Sequence, residues 1–311
     1  MDNLQADLEK RLNKIRQVFD VDQVLSVRPA PESIVRYYRT NKLAYSLFHN
    51  SRGFVHMGVS RNLKYGRDDL LEQPKLVAKY IEQLNARRVL ELATGKGASS
   101  IYLARRFPNA QFVGVDLSGG QLDVVKKKAG RIRNFSPVEG DYHDLSRYPN
   151  DHFDVVFVIE GLCHSTQKGQ VATEVWRALR NGGVFIVFDG YLGRSKSSLN
   201  VDERLAKRLT ERGMMVDNFE RYEDVWEEIL RAGFGVVYKE DVSRFIVPTL
   251  RRFETLARKT IFAHPMLGRF VARLLPNEFA FNAVPAYLMP LLVEIGVAKY
   301  MILVVEKQNQ A

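Results

Sequence analysis

The feature that most constrains this chain is a short apolar strand that leads through a turn of small residues into a helix. Residues 88–92 (RVLEL) have the composition of a buried strand, and residues 93–97 (ATGKG) form the turn. Residues 98–106 are compatible with a helix. This order places small residues at the carboxyl end of a strand, where the backbone of a parallel α/β protein can approach a nucleotide.

The alternation of strand and helix continues along the chain. Helices are predicted between the strands, and the predicted strands cover residues 88–92, 111–115, 136–139, 153–159, 184–188, 235–238 and 299–305. Such alternation is typical of a parallel sheet with helices on both faces. We predict an α/β, Rossmann-like fold with a seven-stranded, mostly parallel sheet and a helical cap from the N-terminus and a C-terminal insertion.

The remaining segments are predicted to be helical and to cover the sheet. Residues 1–85 are predicted as an N-terminal cap segment, 86–244 as the cofactor-binding core, 245–285 as a helical cap insertion, and 286–311 as a final helix and the last strand. Within the insertion, apolar residues recur at helical spacing from position 267 to 275.

The net charge of +10 favours an anionic partner, such as nucleic acid, an anionic membrane surface or an anionic substrate. The charges are scattered and no RNA-binding signature is present, which argues against nucleic acid. Basic helices with Arg251, Arg252, Arg258, Lys259, Arg269 and Arg273 can contact a membrane surface or form an ordinary solvated face. The oligomeric state is left open.

The single cysteine, Cys163, excludes an internal disulfide and any multi-thiol metal site, and we expect no metal. The first residues are charged and amphipathic, without the apolar core of a secretory signal. No run of about 18 uncharged apolar residues is present. We therefore expect a cytoplasmic protein, with peripheral membrane contact left open.

An acid at the end of the second strand is the partner that a nucleotide-binding turn requires. Asp116 follows the second predicted strand, 19 residues after Gly97. A carboxylate there can accept hydrogen bonds from both ribose hydroxyls. A dinucleotide fingerprint would place a third glycine where this chain has Ser100, so NAD fits poorly.

The turn resembles motif I of the class I S-adenosylmethionine-dependent methyltransferases, written E/D-x-G-x-G-x-G. Glu91 matches the acid, Ala93 replaces the first glycine, and Gly95 and Gly97 match the other two. The resemblance implies S-adenosylmethionine as the cofactor. Glu91 contacts the ligand in one interpretation and only orients the turn in the other.

The resemblance extends over about residues 88–190. The Gly140-Asp141-Tyr142 segment resembles the adenine-binding segment, residues 153–156 (FDVV) resemble the lead into the fourth strand, and residues 177–183 resemble the L-x-P-G-G turn, with asparagine in place of proline. It implies these cofactor contacts: Glu91, Ala93, Gly95, Gly97, Asp116, Leu117, Asp141 and Tyr142. The alternatives are a simple tight turn, a helix cap at Asp116 and an ordinary loop acid at Asp141.

Shorter segments resemble the sterol C-methyltransferases and the tocopherol-type methyltransferases. Residues 158–164 (VIEGLCH) are similar to the I-E-A-x-C-H run of the sterol enzymes, and residues 288–299 resemble the C-terminal end of the tocopherol-type enzymes. Residues 37–58 resemble the aromatic segment that covers the active site in both groups, although Arg39 replaces an aspartate.

This resemblance implies Glu160, His164 and His56 as catalytic residues. Glu160 can stabilise a cationic intermediate, position an acceptor hydroxyl or accept a proton, and the histidines are candidate bases. The implied pocket residues are Tyr37, Tyr38 and Tyr45. For each of them a purely structural role, as a packed ring or a hydrogen-bonded side chain, is the alternative.

The sequence therefore predicts a methyltransferase for a small, apolar acceptor of isoprenoid, sterol, quinol or related natural-product type. Methylation of carbon is favoured, with nitrogen and oxygen left open. One alternative is an RNA or protein methyltransferase, but the N-P-P-Y motif of amino-group targets is absent after the fourth strand. The other is a protein that keeps the cofactor fold without methylation, for example for a pericyclic reaction.

Overall fold

Seven strands form one sheet in the computed structural model, which describes residues 2–41, 50, 52–117, 119–130 and 132–308. The predicted pocket residue Tyr45 lies outside these residues. The strands are β1 (Arg88–Leu92), β2 (Gln111–Asp116), β3 (Phe135–Glu139), β4 (Phe153–Ile159), β5 (Leu179–Leu192), β6 (Phe234–Asp241) and β7 (Ala298–Lys307).

The order of the strands is β3-β2-β1-β4-β5-β7-β6. β1 to β5 pair in parallel, and β7 runs antiparallel to both β5 and β6. The chain order reverses between β1 and β4, so the carboxyl ends of these two strands flank the crevice where open α/β sheets bind ligands. The predicted Rossmann-like, mostly parallel sheet is confirmed.

Helices cover both faces of the sheet and its carboxyl edge. They are α1 (Asp2–Val18), α2 (Val21–Leu25), α3 (Pro31–Thr40), α4 (Glu72–Gln83), α5 (Ala98–Arg106), α6 (Gly119–Ala129), α7 (Lys168–Ala178), α8 (Val201–Gly213), α9 (Tyr222–Arg231), α10 (Ser243–Thr260), α11 (Pro265–Leu274), α12 (Asn277–Ala280) and α13 (Ala283–Glu294). In the part of the chain that the structure describes, no helix combines the length and apolar composition needed to cross a bilayer.

The buried apolar residues form three clusters. One packs α4, α5 and α6 on one face of the sheet, and the second packs α7 and α9 on the other face. The third joins α1, α2 and α8 to α10, α11 and α13. Because this third cluster involves both ends of the chain, the helices predicted as cap elements are packed together. The predicted boundaries at residues 85, 244 and 285 stay a prediction.

The fifth strand is longer than predicted. The sequence predicts a turn at residues 181–183, but β5 already begins at Leu179, which pairs with Phe153. Gly182 has a φ of 69°, and the register shifts at this point of the β4–β5 ladder. A residue in the left-handed region allows such an irregularity within a strand. Gly182 and Gly183 therefore lie within β5 at the irregularity, and do not form a turn before the strand.

Candidate active site

The turn after β1 depends on residues that accept a left-handed backbone. Ala93, Gly95 and Gly97 have φ values of 52°, 53° and 67°. A Cβ atom on Gly97 would come within 2.8 Å of the Val125 side chain, so glycine is required there for space as well as conformation. Ala93, Gly95 and Gly97 therefore present no side chain larger than a methyl group at the carboxyl end of β1.

The Glu91 side chain stabilises this turn through hydrogen bonds. Its buried Oε2 accepts hydrogen bonds from the hydroxyls of Thr94 and Ser100, both at 2.6 Å. Burial raises the pKa of the Glu91 carboxyl to about 7, and the two hydroxyls partly oppose that rise. These contacts favour the interpretation in which Glu91 orients the turn.

Asp116 ends β2 and lies against the same turn. Its Oδ2 accepts a hydrogen bond from the Gly95 N–H at 2.7 Å. The sequence alternative, a cap for the helix that follows, is not tested by this contact. An ionised carboxylate accepts several hydrogen bonds, so the same group can also bind hydroxyls in the crevice. Leu117 follows Asp116 and is partly exposed.

The segment after β3 is organised by a histidine that the sequence interpretation missed. The Asp141 carboxylate accepts from the backbone N–H and from Nδ1 of His143, at 2.9 and 2.6 Å. Nε2 of His143 lies 2.8 Å from the Ser165 hydroxyl. Tyr142 is buried, and its hydroxyl donates to the carbonyl oxygen of Gly161 at 3.0 Å. Tyr142 thus supports the turn after β4.

These residues fit an adenosyl-type cofactor. Gly161 follows β4 and packs so tightly on the turn that a Cβ atom there would lie 2.6 Å from the Cβ of Ala93. The turn and the acid of β2 therefore meet, through the Gly95–Asp116 hydrogen bond, next to the carboxyl end of β4. Backbone N–H groups and a carboxylate are the donor and acceptor set that a nucleoside requires.

Glu160 lies at the end of β4 with an unusual backbone. Its φ is 52°, which is uncommon for a residue with a side chain and is a form of strain often found at functional sites. Its Oε1 accepts from the Met57 N–H at 2.6 Å, and the Tyr300 hydroxyl lies near enough to the carboxyl group to favour its ionised form. Burial nevertheless raises the pKa of Glu160 to about 8.

His164 is a neutral ring held at both nitrogens. Nδ1 donates to the Met215 carbonyl oxygen at 3.0 Å, because a carbonyl oxygen only accepts. Nε2 then accepts from the Tyr38 hydroxyl at 3.0 Å. Burial lowers the pKa of His164. The predicted residues His164 and Tyr38 are therefore brought together as a hydrogen-bonded pair.

A cavity of about 310 Å³ lies between the carboxyl edge of the sheet and the helices of the third cluster. At the sheet, polar side chains line it: Tyr38, Glu160, Cys163, His164, Asp189, Lys299 and Tyr300. Towards the helices, apolar side chains line it: Ile246, Leu250, Phe253, Leu256, Ile261, Val271, Leu275, Phe279, Met289 and Val293. The cavity thus has a polar end beside the crevice and a long apolar end, as small-molecule sites commonly have.

Asp189 and Tyr300 are cavity residues that the sequence interpretation missed. Asp189 lies in β5 with a side chain that is 1% exposed, and it accepts from the backbone N–H groups of Cys163 and Gly190 at 2.9 and 2.7 Å. Burial raises the pKa of Asp189 to about 6. The sequence signal for Asp189 was a polar residue late in an otherwise apolar strand. Tyr300 lies in β7, and no sequence signal linked it to the site.

Of two further predicted site residues, Tyr37 lines the cavity and His56 does not. His56 is buried, its Nδ1 donates to the Met57 carbonyl oxygen at 3.1 Å, and its ring packs on Phe54 with centroids 5.3 Å apart. It adjoins the Met57 contact to Glu160 but does not line the cavity. Tyr37 does line it, with its hydroxyl donating to Asn282 Oδ1 at 2.8 Å.

Known proteins match the part of the chain that forms the crevice. The family described as "Methyltransferase domain" matches residues 89–183. The sterol 24-C-methyltransferase of Aspergillus fumigatus is 26% identical over 159 residues, which are 50% of this chain and 42% of that protein. The demethylmenaquinone methyltransferase of Thermotoga maritima is 29% identical over 131 residues, which are 42% of this chain and 55% of that protein. The chain thus spans about half the length of the curated relatives it matches.

A solved structure shares the fold over nearly the whole chain. The [4+2]-cyclase SpnF has a TM-score of 0.70 and covers 91% of this chain and 99% of its own, with 20% sequence identity. At this level of identity the likeness shows a common fold, including helices outside the matched domain.

Proposed function

We propose that this chain, which carries a class I methyltransferase domain over residues 89–183, transfers a methyl group from S-adenosylmethionine to a small, apolar, uncharged acceptor. One observation carries the proposal. Glu160 lines the apolar cavity, and its neighbour Gly161 packs on Ala93 of the cofactor turn. The two ligand spaces therefore meet at the end of β4.

On the cofactor side, the residues of this chain would bind and orient S-adenosylmethionine. When bound, S-adenosylmethionine supplies an electrophilic methyl group on a cationic sulfur. Asp116 would accept from the ribose hydroxyls and the backbone of Gly95 and Gly97 would admit the ligand, while Glu91 keeps the turn in place through Thr94 and Ser100. Asp141, Tyr142 and Leu117 would hold the adenine, and His143 fixes the Asp141 carboxylate.

On the acceptor side, Glu160 is the reacting carboxyl group. Ionised, it stabilises positive charge that develops on an acceptor carbon or accepts the proton that leaves it. Tyr300 and Met57 hold its position, and the Tyr38–His164 pair can bind a polar group at the end of the acceptor. The apolar helical walls exclude water. Carbon methylation fits best, because two carboxyl groups and tyrosine rings suit a cationic intermediate.

The uncharged nature of the acceptor follows from the same carboxyl groups. Asp189, whose pKa of about 6 leaves it ionised at pH 7, lines the polar end of the cavity beside Glu160. The one lysine in the described lining, Lys299, is paired with Asp241 at 3.1 Å, so an anionic group there would meet unfavourable electrostatics. We expect terpenoid alcohols, sterols or prenylated quinols to be methylated at least tenfold faster than phosphorylated analogues. Geraniol and geranyl diphosphate provide a matched pair, and S-adenosylhomocysteine release measures the rate. Preference for the diphosphate would contradict this acceptor class.

The cofactor assignment is tested by Asp116→Ala. Loss of the ribose-binding carboxylate should weaken S-adenosylhomocysteine binding at least tenfold, or about 1.4 kcal/mol. Isothermal titration calorimetry measures the affinity. Glu139 is an exposed acid whose Cα atom lies opposite that of Asp116 in the β2–β3 register. Glu139→Ala is therefore the matched control and should leave the affinity unchanged. Equal affinity in Asp116→Ala and wild type would reject the assignment.

Two alternative functions are distinguished by measuring the release of S-adenosylhomocysteine and the choice of acceptor. A cofactor-binding protein that does not methylate would bind S-adenosylmethionine without releasing S-adenosylhomocysteine, and the fold of the [4+2]-cyclase is compatible with that use. An RNA or protein methyltransferase would accept macromolecules and bind them with a steep salt dependence.

Peripheral membrane contact through the basic helical region is part of the proposal, with a change in the residues assigned to it. Arg251 forms ion pairs with Glu254 and Glu294, and Arg269 donates to the Gln17 carbonyl oxygen. The side chains of these two arginines are therefore engaged within the helical layer. The exposed cations that remain available to contact a membrane are near α11.

A further inference from the structure

Helix α11 exposes an apolar face that nothing in the described part of the chain covers. Met266, Leu267, Phe270 and Leu274 are 88%, 53%, 60% and 69% exposed. Their spacing places them on one side of the helix, while Gly268 and Ala272 are buried on the other. Four large apolar side chains on ten residues of helix are unusual for a surface that faces only water.

Cations border this face. Residues 255–277 contain Arg258, Lys259, Arg269 and Arg273 and no aspartate or glutamate. Arg258, Lys259 and Arg273 are exposed, and within the described residues they form no ion pair. The nearest acids in sequence are engaged, since Glu254 pairs with Arg11 and Arg251, and Glu278 pairs with Arg36. The patch is therefore both apolar and net positive.

The opposite side of the same segment lines the cavity. Val271 of α11 and Leu275 at its end contact the cavity, together with Leu256 and Ile261 from α10 and the turn after it. A helix only about 10 Å across thus separates the outer apolar face from the acceptor space. Whatever binds the outer face lies next to the apolar end of the cavity.

We propose that the outer face of α11 docks on an anionic lipid bilayer, so that apolar acceptors pass from the lipid into the cavity beside it. The apolar side chains enter the acyl layer at the headgroup boundary, and Arg258, Lys259 and Arg273 lie at the level of the lipid phosphates. The charge decides between occupants: a second copy of this chain would bring the same cations together, whereas anionic headgroups neutralise them. The route of entry rests on the proposed apolar acceptor, but the docking does not.

The test is flotation of the purified full-length chain with vesicles of phosphatidylcholine containing about 30% phosphatidylglycerol. We expect wild type to bind these vesicles, and to bind pure phosphatidylcholine vesicles about tenfold more weakly. The double variant Phe270→Ser/Leu274→Ser should lose at least tenfold in affinity for the anionic vesicles. Both positions are exposed, so the fold should be retained.

Val201→Ser is the matched control, since Val201 is 71% exposed at the start of α8, and it should bind vesicles as wild type does. Failure of wild type to bind, or equal binding by the double variant, would overturn the proposal. A dimer that the double variant abolishes in sedimentation equilibrium, without vesicle binding, would assign the face to a second copy instead. Calorimetry with S-adenosylhomocysteine on the same samples tests the proposed function separately, because that binding does not involve α11.

Discussion

Glu160→Gln should lower the turnover of the enzyme about 100-fold while changing the affinity for S-adenosylhomocysteine by less than about threefold. The glutamine has the size of the glutamate, and its amide oxygen can still accept from the Met57 N–H, so the end of β4 should keep its shape. Under the proposed function, the variant loses the carboxylate that would stabilise a cationic acceptor or take its proton.

The measurement combines the rate of S-adenosylhomocysteine release with calorimetry. The acceptors are a panel of sterols, prenylated quinols and terpenoid alcohols, from which the best substrate of the wild-type enzyme is taken forward. Glu139→Gln serves as the control, because Glu139 is an exposed acid at the end of β3, and it should keep wild-type turnover. Wild-type turnover in Glu160→Gln would remove Glu160 from the chemistry. A parallel loss of cofactor affinity would assign it to binding.

The stability of the cofactor-free protein should fall as the pH rises from about 5.5 to 8.5, by about 6 kcal/mol if the three buried carboxyl groups titrate independently. Burial raises the pKa of Glu160 to about 8, of Glu91 to about 7 and of Asp189 to about 6. A carboxyl group with a raised pKa binds its proton more tightly in the folded chain than in the unfolded chain. Its contribution is fully present below the unfolded pKa and is lost as the pH rises through the folded pKa.

His164 opposes this trend, because burial lowers its pKa and its contribution to stability increases with pH. The contribution of His164 is present above its ordinary pKa and is lost as the pH falls towards the lowered pKa, so it opposes the trend only at the acidic end of the range. Urea unfolding followed by circular dichroism at fixed salt measures the free energy at each pH. Glu160→Gln should reduce the fall by about 3 kcal/mol, since glutamine does not titrate. A flat profile in wild type, or an unchanged slope in Glu160→Gln, would contradict the assigned burial.

The local parts of the fold and of the cofactor crevice were predictable from sequence. The turn at residues 93–97 and the acid at 116 belong to short segments whose backbone requirements are visible in residue type, and the structure joins them through the Gly95–Asp116 hydrogen bond. The predicted resemblance to class I methyltransferases is confirmed by the domain match over residues 89–183. The roles of the individual site residues stay predictions.

The acceptor cavity was less predictable. Glu160, His164, Tyr37 and Tyr38 were identified through short motifs, but Asp189 was missed. His56 was assigned to catalysis from a pattern of aromatic residues, and the structure places it behind Met57, outside the cavity lining. A motif indicates which residues share a segment, whereas a cavity wall is formed by residues distant in sequence.

The sequence by itself determined the elements that depend on neighbours along the chain: the strand–helix alternation, the left-handed turn after β1 and the acid that follows β2. Those features arise from periodicity and from the backbone freedom of individual residues, which are local properties. Only the tertiary structure decided that Tyr300 of β7 lies beside Glu160, which follows β4, that Met215 and Tyr38 hold His164, and that α11 lies between the cavity and the solvent. Burial and the pKa shifts that follow from it depend on long-range packing, and no local pattern specifies which distant side chains will exclude water from a given carboxyl group.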